Sequence, residues 1–350
     1  MTKSIHSPAP AIVEVTRGTL VESRHRVHAV VADAAGNIIH AWGDGDLEIY
    51  PRSAIKPLQT LALIETGAAD HWRLTDERIA LATASHSASA AHIMAVEAWL
   101  GDIGRGEGDL ECGAQMPTDE AAAHRLIKQD AAPTRLHNNC SGTGFLATAL
   151  HMGEDLHGYT GADHPVQRRL YQALMEMGGA DLSGTGRGVD GCGIPVYGMP
   201  LAALARAMAK MADPVTAGLG AVRTAAAQRI VSSMAKHNFM VSGRGRFDHA
   251  AMTAGIGVAK RTAAPVFATK TGAEAVHAAV LPGLGLGVAV KAEDGAKRAS
   301  DTLMANLLNF LGAFDEGARA DMAPFLEMAV VNAEGKPVGA VRPQAGWDRA

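Results

Sequence analysis

The chain has 350 residues, of which 47% are hydrophobic and 19% charged, a balance that excludes intrinsic disorder and supports two domains or one large two-lobed unit. Its 32 basic and 36 acidic side chains leave a formal charge of −4, and only 4% of residues are aromatic, so nothing points to a nucleic-acid surface. Three cysteines cannot form a disulfide framework and fit a reduced compartment.

After Met1 there is no apolar stretch of signal-peptide length, and the longest apolar run, Ala278 to Val290, is interrupted by Pro282 and three glycines. A soluble, cytoplasmic protein without a membrane partner is expected. Ile12-Val13-Glu14-Val15 reads as a first strand. Val27 to Val31 and Ile38 to Trp42 flank Asp33-Ala34-Ala35-Gly36-Asn37, the pattern of a hairpin. From Ser53 the texture becomes helical, with periodic alanine, leucine and methionine over 54–66, 88–100, 119–128, 164–178, 200–212 and 215–236. Strands return at Val266-Phe267-Ala268, Val276 to Val280 and Gly287 to Val290. A helix near 296–312 and a hairpin of Ala329–Val331 with Val338–Val341 complete the chain. The class is α/β (α+β): a mainly antiparallel sheet built from both chain ends, flanked by helices, with a helical lobe inserted. We place the sheet-containing lobe at 1–52 and 238–350, the helical lobe at 53–237, and the site between them.

Arg52-Ser53-Ala54-Ile55-Lys56 contains an S-x-x-K at the change from sheet to helix. In a first turn, Lys56 at i+3 shares a face with Ser53, and a desolvated lysine can take a serine proton. The spacing alone is weak, since Ser233 to Lys236 repeats it inside an ordinary helical stretch. Its company strengthens it: Ser85-His86-Ser87 follows, then Lys270-Thr271-Gly272, the chain order of the S-x-x-K, S-D-N and K-T-G motifs of serine acyl-transfer enzymes of the β-lactamase and penicillin-binding type. The first supplies nucleophile and base, the second a hydroxyl that relays protons, the third a cation on a strand. Gly272 would let substrate approach the backbone.

A second constellation joins His137-Asn138-Asn139-Cys140-Ser141-Gly142-Thr143-Gly144 to Asp190-Gly191-Cys192-Gly193. Both cysteines stand in glycine-rich polar turns. Brought together they could ligate zinc with Asp190, His137 or water, or could be two separate buried thiols near a pocket. Cys112 lacks such surroundings and reads as structural. Gly243-Arg244-Gly245-Arg246-Phe247-Asp248 reads as a tight turn before a helix, since no G-K-[ST] follows.

These motifs together resemble the rhizobial-type (class 3, asparaginase II family) L-asparaginases, whose fold is similar to serine β-lactamases and glutaminases. The match includes Ile12 to Gly18, Glu22 to Arg26, Pro51 to Pro57, Ala84 to Ser87, Cys112-Gly113, His137 to Gly142, Asp190 to Pro195 and Lys270 to Glu274. The resemblance implies hydrolysis of the L-asparagine side-chain amide through an acyl-enzyme, with Ser53–Lys56 and Ser85–Lys270 as two catalytic pairs. It implies substrate contacts from Arg52, Ser87, Asn139, Asp190 and Gly272, and a homodimer. It also implies a zinc ion held by Cys140 and Cys192. The family's Lys-His-Ala-Gly after Cys-Ser-Gly is replaced by Thr143-Gly144-Phe145, and threonine is a poor zinc ligand beside thiolates. No cofactor is required, and zinc stands as an option. The alternatives are a glutaminase, a β-lactam-type serine hydrolase, or an asparagine-binding protein with impaired catalysis.

Overall fold

The computed structural model describes residues 6–138 and 142–349. Nine strands form the main sheet: β1 (His6–Ser7), β2 (Ala11–Arg17), β3 (Leu20–Asp33), β4 (Ile38–Trp42), β5 (Ala268–Thr271), β6 (Val276–Leu281), β7 (Leu286–Ala292), β8 (Met328–Val331) and β9 (Pro337–Pro343). Their order is β8-β9-β2-β3-β7-β6-β5, with β4 also on β3 and β1 on β4. Among the described residues only the β1–β4 pairing is parallel. The molecule is thus a mixed α/β protein whose curled, mainly antiparallel sheet draws strands from both chain ends.

The long strand β3 shows why the sheet is covered unequally. Its first half alternates exposed and partly buried residues, as one-sided burial requires, whereas Val27 to Ala32 are all buried. There the side chains divide by parity. Val27, Ala29 and Val31 join one core cluster, and Val30 and Ala32 join the other. The first cluster is completed by Ala299, Leu303, Met304 and Leu307 of the Lys297–Phe310 helix. The second runs from β6 and β7 into the Leu201–Ala212 helix and on to Leu58, Leu61, Trp99 and Leu146 of the helical half. Met199, Met208 and Met211 are buried in it, as core methionines should be.

One glycine determines how closely the Leu201–Ala212 helix can approach. A Cβ on Gly287 of β7 would lie 2.1 Å from Ala209 N and 2.3 Å from Ala205 O, so helix and strand meet backbone to backbone. Alanines at 202, 205 and 209 keep the facing helix surface low.

Two expectations need correcting. The strand expected at Val266–Ala268 begins at Ala268 and runs through Thr271, so Lys270 is inside it and pairs with Ala278. Its polar side chains find buried partners, described below, which an apolar-run reading does not anticipate. Of the stretch 136–144 expected as a turn, residues 142–144 open a helix, Gly142–Met152. Its glycines serve close packing: a Cβ on Gly142 would meet the Tyr159 hydroxyl at 2.8 Å. Among the described residues no helix is long and apolar enough to cross a membrane.

Candidate active site

Ser85 lies in the loop between the helices Asp76–Ala82 and Ala90–Asp102. Its backbone is pinned on both sides: Ser85 N donates to Val241 O at 2.9 Å, and Arg246 Nη1 donates to Ser85 O at 2.7 Å. Two lysines converge on its side chain. Lys270 Nζ donates to Ser85 Oγ at 3.0 Å and Lys56 Nζ donates to it at 3.3 Å. The three residues are only 5%, 1% and 2% exposed, respectively. Two amines on one hydroxyl, shielded from water, form a compact proton-transfer unit.

The pairing differs in one respect from that expected. Among the described residues, Lys56 Nζ bonds to Ala84 O at 2.5 Å and to Ser85 Oγ, and Ser53 is not one of its partners. The S-x-x-K turn is a 3₁₀ segment, Arg52–Ile55, running directly into the short helix Lys56–Gln59. From there the long lysine stem reaches the buried 84–85 loop, while the short Ser53 side chain stays at the wall of the cavity. The other S-x-x-K has no such setting: Lys236 pairs with Asp76 at the surface, Nζ to Oδ2 3.4 Å.

A residue that the spacing did not single out supports Lys270 from behind. Asp248, in the first turn of the Phe247–Thr262 helix, is fully buried. It accepts from Thr271 N and Thr269 Oγ1, from Thr271 Oγ1 at 2.7 Å, and from His277 Nε2 at 3.3 Å. Lys270 Nζ lies 4.0 Å from its Oδ2. These donors and the Lys270 charge outweigh burial and hold the Asp248 carboxyl far below the usual range. Burial pushes Lys270 down to about 7, with Asp248 opposing and the positive charges of Lys56, Arg246 and Lys297 assisting. The only sequence trace of Asp248 is its place after the turn at 243–246, which is indeed a tight turn, with Gly243 and Gly245 at positive φ. His86 is also buried, stacked on His92 with ring centroids 5.2 Å apart, and its imidazole is pushed well below its ordinary pKa, chiefly by burial.

The cavity in front of these groups has a volume of about 390 Å³ and joins Ser53 and Ser85 with Arg52, Asn138, Asp190, Cys192, Arg246 and Lys297. Arg52 sits at φ +51 and grips Asp190 through Nε (3.1 Å) and Nη2 (3.0 Å). Burial opposes this ionisation, but the guanidinium keeps Asp190 below its usual pKa. One expected contact moves. Ser87 is not among the residues lining the cavity; it is buried against Gly243, where a Cβ would meet its Oγ at 2.4 Å. Gly272 does line the cavity, and its missing side chain also makes room for the Arg52–Ile55 turn: a Cβ there would lie 2.8 Å from Pro51 O and 3.1 Å from Ala54 N.

Asn139 and Cys140 lie outside the described residues. Cys192 is buried at the cavity wall. Thr143 is buried within the Gly142–Met152 helix, and Asp190 is engaged by Arg52 and Gly191 N. Among the described residues no group of three or more His, Cys, Asp or Glu could hold a metal ion, so the described donors do not by themselves fit zinc. Cys112 is buried and directs Sγ to Arg135 O at 3.8 Å.

A family profile described as L-asparaginase II matches residues 13–343, nearly the whole chain. No curated protein matched. Among solved structures, a β-lactamase crystal structure from Mycobacterium bovis is similar over 91% of this chain and 96% of that one, at 14% identity and a TM-score of 0.39.

Proposed function

We propose, from the premise that the chain belongs to the L-asparaginase II family, that it hydrolyses L-asparagine to aspartate and ammonia. The observation that carries this reading is the convergence of two buried lysines on Ser85, beside a cavity that also presents Ser53. Ser53 Oγ attacks the side-chain amide carbon, forming the C–O bond and placing negative charge on the carbonyl oxygen. The Ser53 proton enters the Lys56–Ser85–Lys270 cluster, where a neutral lysine accepts it. Collapse of the tetrahedral adduct breaks the C–N bond, and the same cluster returns the proton to the departing ammonia. Water then adds to the ester carbon, the cluster again taking its proton; the acyl C–Oγ bond breaks, the cluster returns the proton to Ser53 Oγ, and aspartate leaves.

No step passes through a metal. Zinc remains an option that Cys140 and Cys192 suggest; metal analysis of protein purified without added zinc decides it, with near-zero stoichiometry removing it. A cytoplasmic homodimer is part of the same reading and is checked by sedimentation and fractionation.

The test is ammonia release from asparagine and glutamine by the wild type and by Ser53→Ala, Ser85→Ala and Lys270→Ala. We expect asparagine turnover, lost by at least about 10²-fold in each variant, the scale of acid–base and nucleophile removal. Unchanged release in Ser53→Ala and Lys270→Ala would overturn the mechanism. Thr143 in place of the family lysine favours the second reading, an asparagine-binding protein, which tight calorimetric binding without turnover would support.

A further inference from the structure

The charges around the cavity are unequally compensated. Arg52 is paired with Asp190, Lys297 with Asp301, and Lys270 faces Asp248. Arg246 lines the same cavity and makes no salt bridge among the described residues. It is nevertheless held in place: Nη1 donates to Ser85 O at 2.7 Å and to Ser242 O at 3.3 Å. That leaves Nε and Nη2, the side-on fork of the guanidinium, without a protein partner among the described residues. A half-buried guanidinium fixed through one nitrogen, with two parallel donors unspent, is built to take a carboxylate in bidentate fashion.

We propose that Arg246 is a specificity-determining residue that binds the α-carboxylate of an amino-acid substrate. This rests on the amidohydrolase reading above. Tethering to the Ser85 carbonyl couples the two ends of the substrate: the anion is held at a fixed offset from the hydroxyl that relays the proton. Lys297, on the same wall, adds positive potential but is neutralised by its own Asp301. The pocket would therefore select α-amino acids bearing a side-chain amide over amines or amides that lack the carboxylate.

Because Arg246 also anchors Ser85, the test must separate recognition from support. Binding of L-aspartate and of its decarboxylated counterpart, β-alanine, is measured by calorimetry on the wild type, Arg246→Gln and Arg246→Lys. Ammonia release from L-asparagine and from 3-aminopropanamide is measured beside it. We expect Arg246→Gln to weaken L-aspartate binding and asparagine kcat/KM by about 10- to 100-fold, the worth of hydrogen bonds to a charged group. The decarboxylated ligands should change less than about threefold, with Arg246→Lys intermediate because it keeps the charge without the fork. Equal losses for both ligand pairs would overturn the proposal and leave Arg246 a support for Ser85; no preference for L-aspartate in the wild type would overturn it too. The aspartate preference without turnover of asparagine would sustain the anion site while refuting the hydrolase reading. Arg246→Lys gives the same discrimination if Arg246→Gln does not fold.

Discussion

At the scale of residues, the site turns on how far burial lowers one lysine. Lys270 titrates at about 7 against about 10.4 when unfolded, so it binds a proton more weakly in the folded protein. The cost of burying its charge is therefore fully present below pH 7 and is relieved as pH rises from about 7 toward about 10.4. In the proposed mechanism the same group supplies neutral base, so kcat/KM for ammonia release should rise with pH through a limb near 7. Among the described residues Asp248 holds Lys270 up; Asp248→Asn should move that limb to lower pH while lowering stability, because it leaves a buried amide among donors that expect a carboxylate. A limb that stays in place, read from pH profiles of the two proteins, would mean that Lys270 is not the titrating group. Little of this was readable from the residues alone. Lys270 belongs to a recognisable K-T-G, but Asp248 stands 22 positions earlier with no spacing that links them.

At the scale of elements, two glycines separate fold from function. Gly287 meets the backbone of the Leu201–Ala212 helix, which cannot yield locally, so Gly287→Ala should destabilise the protein by about 1–3 kcal/mol through overpacking. Urea unfolding measures this, and activity per folded molecule should persist. Gly272 meets the Pro51–Ala54 turn instead. Gly272→Ala should displace Ser53 and lower kcat by about 10-fold or more with a smaller stability loss, since a misplacement near 1 Å is costly to chemistry. If both variants lose stability alone, Gly272 is only a packing glycine. Strands with clean alternation and the long periodic helices were legible because one buried face imposes its period on the residues. The Ala268–Thr271 strand was shifted because its burial is satisfied by hydrogen bonds rather than by apolar surface.

At the scale of the whole molecule, the cavity collects residues from positions 52 to 297, and the sheet that holds it joins the two chain ends. β9 pairs with β2 through Val341 and Val15, and Trp42 Nε1 donates to Trp347 O at 2.8 Å. Removing residues 327–350 should strip β2 of its outer partner and uncover the Val13–Val15 core. The expected result is a lower, broader thermal transition followed by near-ultraviolet circular dichroism; an unchanged cooperative transition would show that the terminal hairpin is peripheral.

The sequence by itself determined the class of the fold, the family and the order of the three serine–lysine motifs, because these are properties of local pattern and chain order. It could not determine that Lys56 and Lys270 share Ser85, that Asp248 stands behind them, or that Arg246 lines the cavity without a salt bridge among the described residues. Those depend on which side chains meet after the chain ends pair, and on how much water is excluded where they meet. Only the tertiary structure supplies either.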